Sequence, residues 1–262
     1  MRSCRCVGLS RSAFYREPVH WTVRDAELIG ALGALVENRP SRGFWKCHKM
    51  LRRQGRGWNH KRTYRVYCQM QLNRRRAARR RLPKRHRVPL YVPQRPDTVW
   101  SADFVADALY NGRRFRTFNV VDDFNREALH IEIDTSITSE RLVRVFRRIQ
   151  AERPLPQVLR TDNGPEFLGE AFTEWAKEAG MAIRYIQPGK PNQNAYIERF
   201  NRTYRDELLD QHLFASLEHV REATYWWLLE YNEQRPHDSL GDLTPVEARE
   251  KAARNSTLEL SA

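Results

Sequence analysis

Positive and negative charges are segregated along this 262-residue chain, and this segregation most constrains how the chain can fold. Residues 1–96 hold 25 Lys and Arg against four Asp and Glu, a balance of +21. Residues 97–262 hold 21 against 28, a balance of −7, so the formal charge of +14 combines two segments of opposite sign. The length is enough for one large or two modest domains. We therefore predict a basic N-terminal module followed by a separate acidic domain.

The basic module has the apolar periodicity of a small all-α domain, which we place at residues 21–73. Its third predicted helix is basic and is capped by Asn59, as in a helix-turn-helix domain whose last helix enters the major groove. An ordinary helical bundle has the same pattern, but the charge favours DNA binding. Ser10 caps a short helix within residues 1–20, which we interpret as a partial helix-turn-helix remnant. The predicted helices span residues 8–16, 22–38, 43–54 and 60–71.

DNA-binding side chains are expected on the third helix and in residues 74–96, a basic linker containing four prolines. Such a linker contacts phosphates without discriminating between base sequences. Two further basic candidates, Lys190 and Arg205, fall in the acidic domain. The candidates before that domain are Lys61, Arg62, Arg65, Arg74, Arg75, Arg76, Arg79, Arg80 and Arg81.

Cysteine spacing and hydropathy exclude two other classes of protein. The four cysteines form no Cys-x-x-Cys pair and no His-x(3–5)-His follows them, so we expect no zinc site. No apolar run reaches the roughly 20 residues of a membrane span, and the N-terminus lacks the apolar centre of a secretory signal. We expect a cytoplasmic protein with no membrane partner.

From residue 97 the hydrophobic pattern changes to the alternation that is typical of strands. Three strands come first, and Asn111 and Gly112 predict a hairpin turn between the first two. Helices and strands then alternate, which predicts an α+β or mixed α/β domain. The predicted strands span residues 99–107, 114–122, 128–134, 157–161 and 182–186, and the predicted helices span 139–152, 168–180, 195–210 and 216–233.

Three acidic residues indicate the chemistry of this second domain. Asp103 lies in the middle of a strand, where an unpaired charge is costly without a partner or a metal ion. Asp162 follows a strand, where α/β sheets commonly place their sites, and Glu198 lies beside the buried stripe of its helix. Each acid alone is most simply a surface carboxylate or a cap. Three converging carboxylates, however, can hold a pair of Mg²⁺ ions, which predicts phosphodiester chemistry on DNA.

Four neighbouring residues are expected to assist these acids. Arg205 lies seven positions after Glu198 and can hold a phosphate on the same side of the helix. Asn201, on the same stripe, and Glu166, close to Asp162, are expected to support the acids. Asn163 is given the same role, although Asn163 and Gly164 also fit a simple turn.

Taken together, these segments resemble an insertion-sequence transposase of the IS-three family, which has an integrase-type catalytic core. The resemblance covers nearly the whole chain, and 35 residues separate Asp162 from Glu198, close to the family spacing. The chain resembles the product of the downstream reading frame. The matching stretches are residues 42–46 and 59–62 in the basic module, and residues 100–107, 119–127, 161–167, 187–201 and 231–245 in the acidic domain.

The resemblance implies a ribonuclease-H-like α/β fold at residues 97–255, with a mixed five-stranded sheet and flanking helices. It implies that Asp103, Asp162 and Glu198 are both the catalytic residues and the ligands of two Mg²⁺ or Mn²⁺ ions. The implied reaction is cleavage at the ends of the element and then strand transfer, without a covalent protein–DNA intermediate. The implied partners are double-stranded DNA, further copies of this chain and an upstream-frame protein, in a bacterial cytoplasm at the nucleoid.

Three alternatives remain beside this interpretation. The first is a non-catalytic DNA-binding regulator made from the same reading frame, which would retain the three acids. The second is a retroviral-type integrase, which would need an N-terminal His-His-Cys-Cys zinc unit that this sequence lacks. The third is a ribonuclease-H-like nuclease acting on RNA hybrids, against which the basic helix-turn-helix module favours duplex DNA.

Overall fold

The computed structural model describes residues 6, 8, 10–17, 19–73, 92–187 and 194–260. The chain divides into two compact units, Met1–Ala77 and Ala78–Ala262. The boundary therefore falls within the basic linker that was predicted at residues 74–96. Seven of the predicted DNA-binding residues lie outside the described residues, namely Arg74, Arg75, Arg76, Arg79, Arg80, Arg81 and Lys190.

The first unit is helical, as its apolar periodicity predicts. Asn59 caps the last helix by accepting a 2.8 Å hydrogen bond from the Lys61 amide, and Ser10 accepts one of 3.2 Å from the Ala13 amide. Both caps were predicted from the sequence. The core includes the fully buried side chains of Leu28, Leu32, Cys47 and Val66. The helices are α1 (Arg11–Phe14), α2 (Trp21–Arg24), α3 (Ala26–Asn38), α4 (Phe44–Arg53) and α5 (His60–Gln69).

Two predicted helix boundaries in this unit are wrong. The helix expected at residues 22–38 is interrupted at Asp25, whose backbone (φ −110°, ψ 16°) leaves the helical region between α2 and α3. The Asp25 side chain is buried among arginines, which is a tertiary interaction that helical periodicity does not report. The helix expected to reach residue 71 ends at Gln69, and Gln71 has a left-handed φ of 58°.

The second unit contains the predicted mixed five-stranded sheet with flanking helices. When the strands are numbered β1 to β5 along the chain, their order in the sheet is β3-β2-β1-β4-β5. The first three strands form an antiparallel meander, and β4 and β5 run parallel to β1. The predicted hairpin turn is confirmed, because Gly112 has a left-handed φ of 81° and the Asn111 side chain accepts from the Arg113 amide. The strands are β1 (Val99–Ala108), β2 (Arg114–Asp122), β3 (Ala128–Asp134), β4 (Val158–Thr161) and β5 (Ala182–Tyr185).

Helices cover both faces of this sheet. Alternate residues of β1 point to opposite faces: Trp100 and Ala102 belong to one hydrophobic cluster, and Val105 belongs to the other. The helices are α6 (Ser139–Glu152), α7 (Pro165–Leu168), α8 (Glu170–Glu178), α9 (Ala195–Glu207), α10 (Leu217–Glu233) and α11 (Pro245–Leu260). Asp103 shares its face of the sheet with Val105, and α9 and α10 cover that face.

Two further boundaries in this unit differ from the prediction. The helix expected at residues 168–180 is shorter, spanning Glu170–Glu178 as α8, and Gly169 separates it from the preceding α7. A Cβ at Gly169 would lie 1.9 Å from the Ser139 Oγ, so only glycine allows the start of α6 to approach here. The helix expected at residues 195–210 ends at Glu207, and a short 3-10 turn follows at Leu209–Gln211. Over the parts of the chain that the structure describes, every helix is too short or too polar to cross a lipid bilayer.

Candidate active site

The register of the central strands places two of the three acids side by side. In the parallel pairing of β1 with β4, Ser101 lies opposite Arg160. Asp103 follows two residues later within β1, and Asp162 follows two residues later, just after β4 ends at Thr161. Neighbouring strands are about 4.8 Å apart, so the two aspartates emerge at the same level of the sheet.

Two hydrogen bonds fix the Asp103 carboxylate. Its Oδ1 accepts from the Phe104 amide at 2.8 Å, and its Oδ2 accepts from the Asn201 Nδ2 at 2.9 Å. Asn201 lies on α9, one turn after Glu198, and the buried side chains of Ile197 and Phe200 hold that helix against the sheet. The expectation that Asn201 supports the acids therefore has a specific contact.

A second amide extends this contact through the sheet. Asn119 lies directly opposite Asp103 in the antiparallel pairing of β1 with β2. Its side chain is fully buried, and its Nδ2 donates to the Asn201 Oδ1 at 2.7 Å. Asn119, Asn201 and Asp103 thus form a continuous hydrogen-bonded chain from β2 through α9 to β1.

Asp162 and Glu198 lie close enough to Asp103 to affect its carboxyl group electrostatically. The pKa of Asp103 is raised from 3.8 to about 6, mainly by burial and in part by the negative charges of Asp162 and Glu198, against the two hydrogen bonds, which lower it. Yet no three His, Cys, Asp or Glu side chains among the described residues stand close enough to hold a metal ion. Glu198 is exposed, whereas Asp103 and Asp162 are half-buried. The fold brings the three acids to one region without assembling a closed metal cage.

Glu166 stands beside Asp162, as the sequence predicted. A Cβ on Gly164 would lie 3.1 Å from Oδ1 of Asp162 and 3.1 Å from Oε2 of Glu166, so both carboxylates border this glycine. Glu166 forms an ion pair with Arg116 of β2, whose guanidinium lies 4.2 Å from the centre of the Phe104 ring. Arg116 therefore balances the additional negative charge next to the acids.

Two other predicted residues make contacts that differ from their expected roles. The Asn163 side-chain amide donates to the Ile186 carbonyl at 3.5 Å. This hydrogen bond connects Asn163 to the residue that follows β5 rather than to one of the acids. The Arg205 guanidinium donates to the Ala106 carbonyl at 2.8 Å and lies 3.4 Å from Asp107. Arg205 thus connects α9 to β1, and its contact with phosphate remains a prediction.

Further contacts hold α9 at both of its ends. Near its N-terminus, the Arg126 guanidinium lies 3.5 Å from the centre of the Tyr196 ring. At its C-terminus, Glu207 is buried and accepts three hydrogen bonds from Arg235, the shortest of which is 2.9 Å. Because Glu198 lies between these contacts, its backbone position is defined by the fold.

The predicted DNA-binding residues of the first unit have unequal surroundings. Lys61 is exposed on α5. Arg62 and Arg65 instead donate to the buried Asp25 carboxylate at 2.8 and 2.7 Å. Contact of Lys61, Arg62 and Arg65 with DNA stays a prediction.

Comparison with known proteins is decisive on the family. Integrase core domain models match residues 93–191 and 179–245. An uncharacterized 31.7 kDa protein of insertion element IS407 from Burkholderia multivorans is 43% identical over 248 residues, which cover 94% of this chain and 88% of that protein. The chain belongs to the insertion-sequence transposase family. This transposase is also 29% identical, over 62% of its length and 54% of the relative's, to the transposase for element IS629 of Shigella sonnei.

A solved structure agrees with the fold of this transposase. A chain of the simian T-cell lymphotropic virus intasome, in complex with PP2A regulatory subunit B56 gamma, superposes with a TM-score of 0.54. The two chains are 17% identical, and the match covers 74% of the transposase and 67% of the viral chain. This similarity supports the ribonuclease-H-like architecture and the predicted fold class.

Sequence reasoning missed Asn119 and Arg116 in the site of the transposase. The signal for Asn119 was available, because residues 103 and 119 are each eight positions from Asn111, where the hairpin was predicted to turn. Counting outward from that turn would have placed Asn119 opposite Asp103. No comparable signal identified Arg116, because its ion pair with Glu166 spans 50 residues of sequence.

Proposed function

We propose that this transposase cleaves DNA at the ends of its insertion element and joins those ends to target DNA by phosphoryl transfer. The observation that supports the proposal is that β1 and β4 place Asp103 and Asp162 at the same level of the sheet, while Asn201 joins Asp103 to α9, the helix that carries Glu198. The negative charges of Asp162 and Glu198 raise the pKa of Asp103, so the three acids share one electrostatic environment.

The three carboxylates suit divalent cations that prefer oxygen ligands, such as Mg²⁺ and Mn²⁺. A cation would offset the repulsion from Asp162 and Glu198 that, after burial, raises the pKa of Asp103. We propose that Asp103, Asp162 and Glu198 hold two such ions. When bound, these ions supply activation of the attacking oxygen and stabilisation of the charge on the leaving oxygen.

The residues around the acids have the role of orienting them. Asn201 and the Phe104 amide each donate to one oxygen of Asp103 and hold the plane of its carboxylate. Asn119 donates a hydrogen bond to the side-chain oxygen of Asn201. This bond orients the Asn201 amide group so that its nitrogen points to Asp103. Such supporting hydrogen bonds commonly affect metal affinity by about 10- to 100-fold.

We propose that the nucleophiles are water and then a DNA 3′-hydroxyl, with direct in-line attack and no covalent protein–DNA intermediate. In this proposal the protein positions the reacting oxygens and supplies no nucleophile of its own. Arg205 lies at the edge of the site on α9, with 39% of its side chain exposed. It can exchange its interaction with Asp107 for one with a DNA phosphate.

We assign recognition of the element ends to the helical first unit and non-specific phosphate contact to the linker at residues 74–96. The charge balance of +21 over residues 1–96 supports this assignment. An element has two ends, so joining both requires more than one catalytic unit. A homo-oligomer on DNA, with an upstream-frame protein as a further partner, meets that requirement.

A second candidate is a DNA-binding regulator without catalytic activity. The charge balance of +21 over residues 1–96 supports DNA binding by this chain, and a regulator made from the same reading frame would retain the three acids. The two functions differ in whether this chain alone produces cleaved DNA.

The experiment compares the chain with its Glu198→Gln variant on a labelled duplex carrying the element end. Fluorescence anisotropy measures binding, and denaturing gels measure cleavage with Mg²⁺ or Mn²⁺. We expect wild-type cleavage, with loss on the order of 10³-fold or more in the variant and nearly unchanged binding. Binding by both proteins without products would support the regulator, and equal loss of binding and cleavage would contradict a metal-ligand role for Glu198.

A further inference from the structure

The most unusual charge cluster in the first unit surrounds Asp25, at the break between α2 and α3. Its side chain is fully buried, and three arginine side chains reach it. Arg65 Nη2 and Arg62 Nε donate to it at 2.7 and 2.8 Å, and Arg24 Nη2 lies 3.4 Å away. One carboxylate therefore organises three guanidinium groups from two separate parts of the unit.

The cluster retains a net charge of +2, because one negative group faces three positive groups. Joining α5 to α3 requires only one of these contacts, so structural support alone does not explain the surplus. The guanidinium-bearing side chains are also accessible, at 55% for Arg24, 42% for Arg62 and 38% for Arg65. The cluster is thus buried on the carboxylate side and open to solvent on the cationic side.

Each guanidinium has hydrogen-bond donors in excess of those that the fold uses. Arginine has five N–H donors in a rigid fork that fits phosphate oxygens. Arg62 donates from Nε to Asp25 and from Nη2 to the Arg24 carbonyl. Arg65 donates from Nη2 to Asp25 and from Nη1 to the Gln69 side chain. The remaining donors of both residues are available while the ion pairs persist.

We propose that Arg24, Arg62 and Arg65 form a binding site for the phosphodiester backbone of duplex DNA, which Asp25 pre-organises. This proposal rests on the proposed function of the first unit in DNA recognition. It assigns Arg62 and Arg65 to backbone contact and adds Arg24, which the sequence did not indicate. Backbone contacts of this kind orient a protein on DNA without discriminating between sequences.

The position of the cluster on α5 fits this role. Arg62 and Arg65 lie three residues apart on α5, and Lys61 and Tyr64 are exposed on the same helix. Tyr64 is 50% exposed, and Trp45 of α4 is 58% exposed. A phosphate held at the arginines would fix α5 beside the duplex while the remaining exposed side chains face the groove.

Arg24→Ala is the first test, because Arg24 is the most exposed of the three arginines and has the longest contact with Asp25. Binding of the full chain is measured by anisotropy, over a series of KCl concentrations, on a duplex with the element end and on an unrelated duplex. We expect weaker binding to both by a similar factor, and a salt slope reduced by about one. An unchanged slope would overturn the proposal.

Arg56→Ala is the matched control, since Arg56 is 46% exposed in the same unit but forms its ion pair with the exposed Glu27. It removes the same charge from outside the cluster. We expect a smaller change in salt slope than for Arg24→Ala. Equal changes in the two variants would overturn the proposal, because they would indicate a response to overall charge.

The variant Asp25→Asn distinguishes the effect of positioning the three arginines from the effect of the unit's net charge. The substitution makes the unit more positive, so charge alone predicts tighter DNA binding. The proposal predicts weaker binding, because the arginines lose their common anchor. DNA binding of the variant and the wild type is compared at a temperature where circular dichroism shows that the variant is folded. If no such temperature exists, the result for Arg24→Ala decides whether the proposal holds. Tighter binding by folded Asp25→Asn would contradict pre-organisation.

Failure of this inference is distinguishable from failure of the proposed function. If the wild-type chain binds both duplexes and cleaves the element end while Arg24→Ala behaves identically, only the arginine site is wrong. If the wild-type chain shows no salt-dependent binding to either duplex, DNA recognition by this chain and the arginine site are both wrong.

Discussion

The Nδ2 of Asn201 donates to the Oδ2 of Asp103 across 2.9 Å, joining the helix that carries Glu198 to the strand that carries the first aspartate. This contact orients Asp103 and sets the distance between α9 and β1 at the level of the acids. The relative positions of Asp103 and Glu198 therefore depend on the Asn201 side-chain amide as well as on the carboxylates themselves.

Asn201→Ala tests this relationship. Loss of the hydrogen bond frees the Asp103 carboxylate, and we expect the Mn²⁺ concentration for half-maximal cleavage to rise about 10-fold or more. Thr203→Ala is the control, because the Thr203 hydroxyl donates to the Arg199 carbonyl within its own helix. An unchanged Mn²⁺ requirement in Asn201→Ala would contradict the orienting role.

Asn119 is expected to act through Asn201 rather than independently. Asn119→Ala should raise the Mn²⁺ requirement in the same direction but by less, because Asn201 keeps its bond to Asp103. The double variant should resemble Asn201→Ala alone, since residues in one hydrogen-bond network are not additive. Additive effects in this double-mutant cycle would show that the two asparagines act separately.

Arg205 has a structural contact in addition to its predicted phosphate contact. Arg205→Ala removes its hydrogen bond to the Ala106 carbonyl, and we expect the free energy of unfolding to fall by about 1 kcal/mol. The partly exposed interaction with Asp107 should add little. Thermal unfolding measures the change, with the exposed Arg202→Ala as a control on the same helix. Unchanged stability with weakened DNA binding would favour phosphate contact alone.

The buried Asp25 predicts a pH dependence of stability in the first unit. Burial acts to raise the pKa of Asp25, but hydrogen bonds and charges from Arg65 and Arg62 outweigh it and lower the pKa from 3.8 to about 2. The ionised carboxylate therefore stabilises the fold above pH 3.8, and this contribution is lost as the pH falls towards 2.

Comparison with Asp25→Asn isolates that contribution. At pH 7 we expect the variant to be less stable by about 2 kcal/mol, the scale of hydrogen bonds to a charged group. The difference between the two proteins should narrow as the pH falls from about 4 to about 2, as followed by thermal unfolding. A difference that stays constant over this range would show that the charge of Asp25 does not contribute to stability.

Much of the second unit was predictable because its signals are local. Alternating hydrophobicity located β1, the Asn111-Gly112 pair located the hairpin, and the helix predicted at residues 139–152 matches α6. The three candidate acids followed from their positions at a strand centre, a strand end and a helix face. In each case the relevant pattern lies within a few residues of the feature it predicts.

The remaining features depend on contacts between distant parts of the sequence. The break at Asp25 results from arginines 37 and 40 positions away. The break at Gly169 results from the approach of Ser139, and the position of Arg205 results from the Ala106 carbonyl. Periodicity and capping rules describe one element at a time, so they cannot predict which side chain an element meets.

The most direct test of the account is strand cleavage and transfer by three variants that each remove one acid, Asp103→Asn, Asp162→Asn and Glu198→Gln. Each is assayed with the wild-type chain on the same labelled element end, with Mg²⁺ and with Mn²⁺, while anisotropy follows binding. The account predicts metal-dependent products from the wild type, their loss in all three variants and retained DNA binding. Cleavage that persists in any one of the three variants would contradict a site in which the three carboxylates act as a unit.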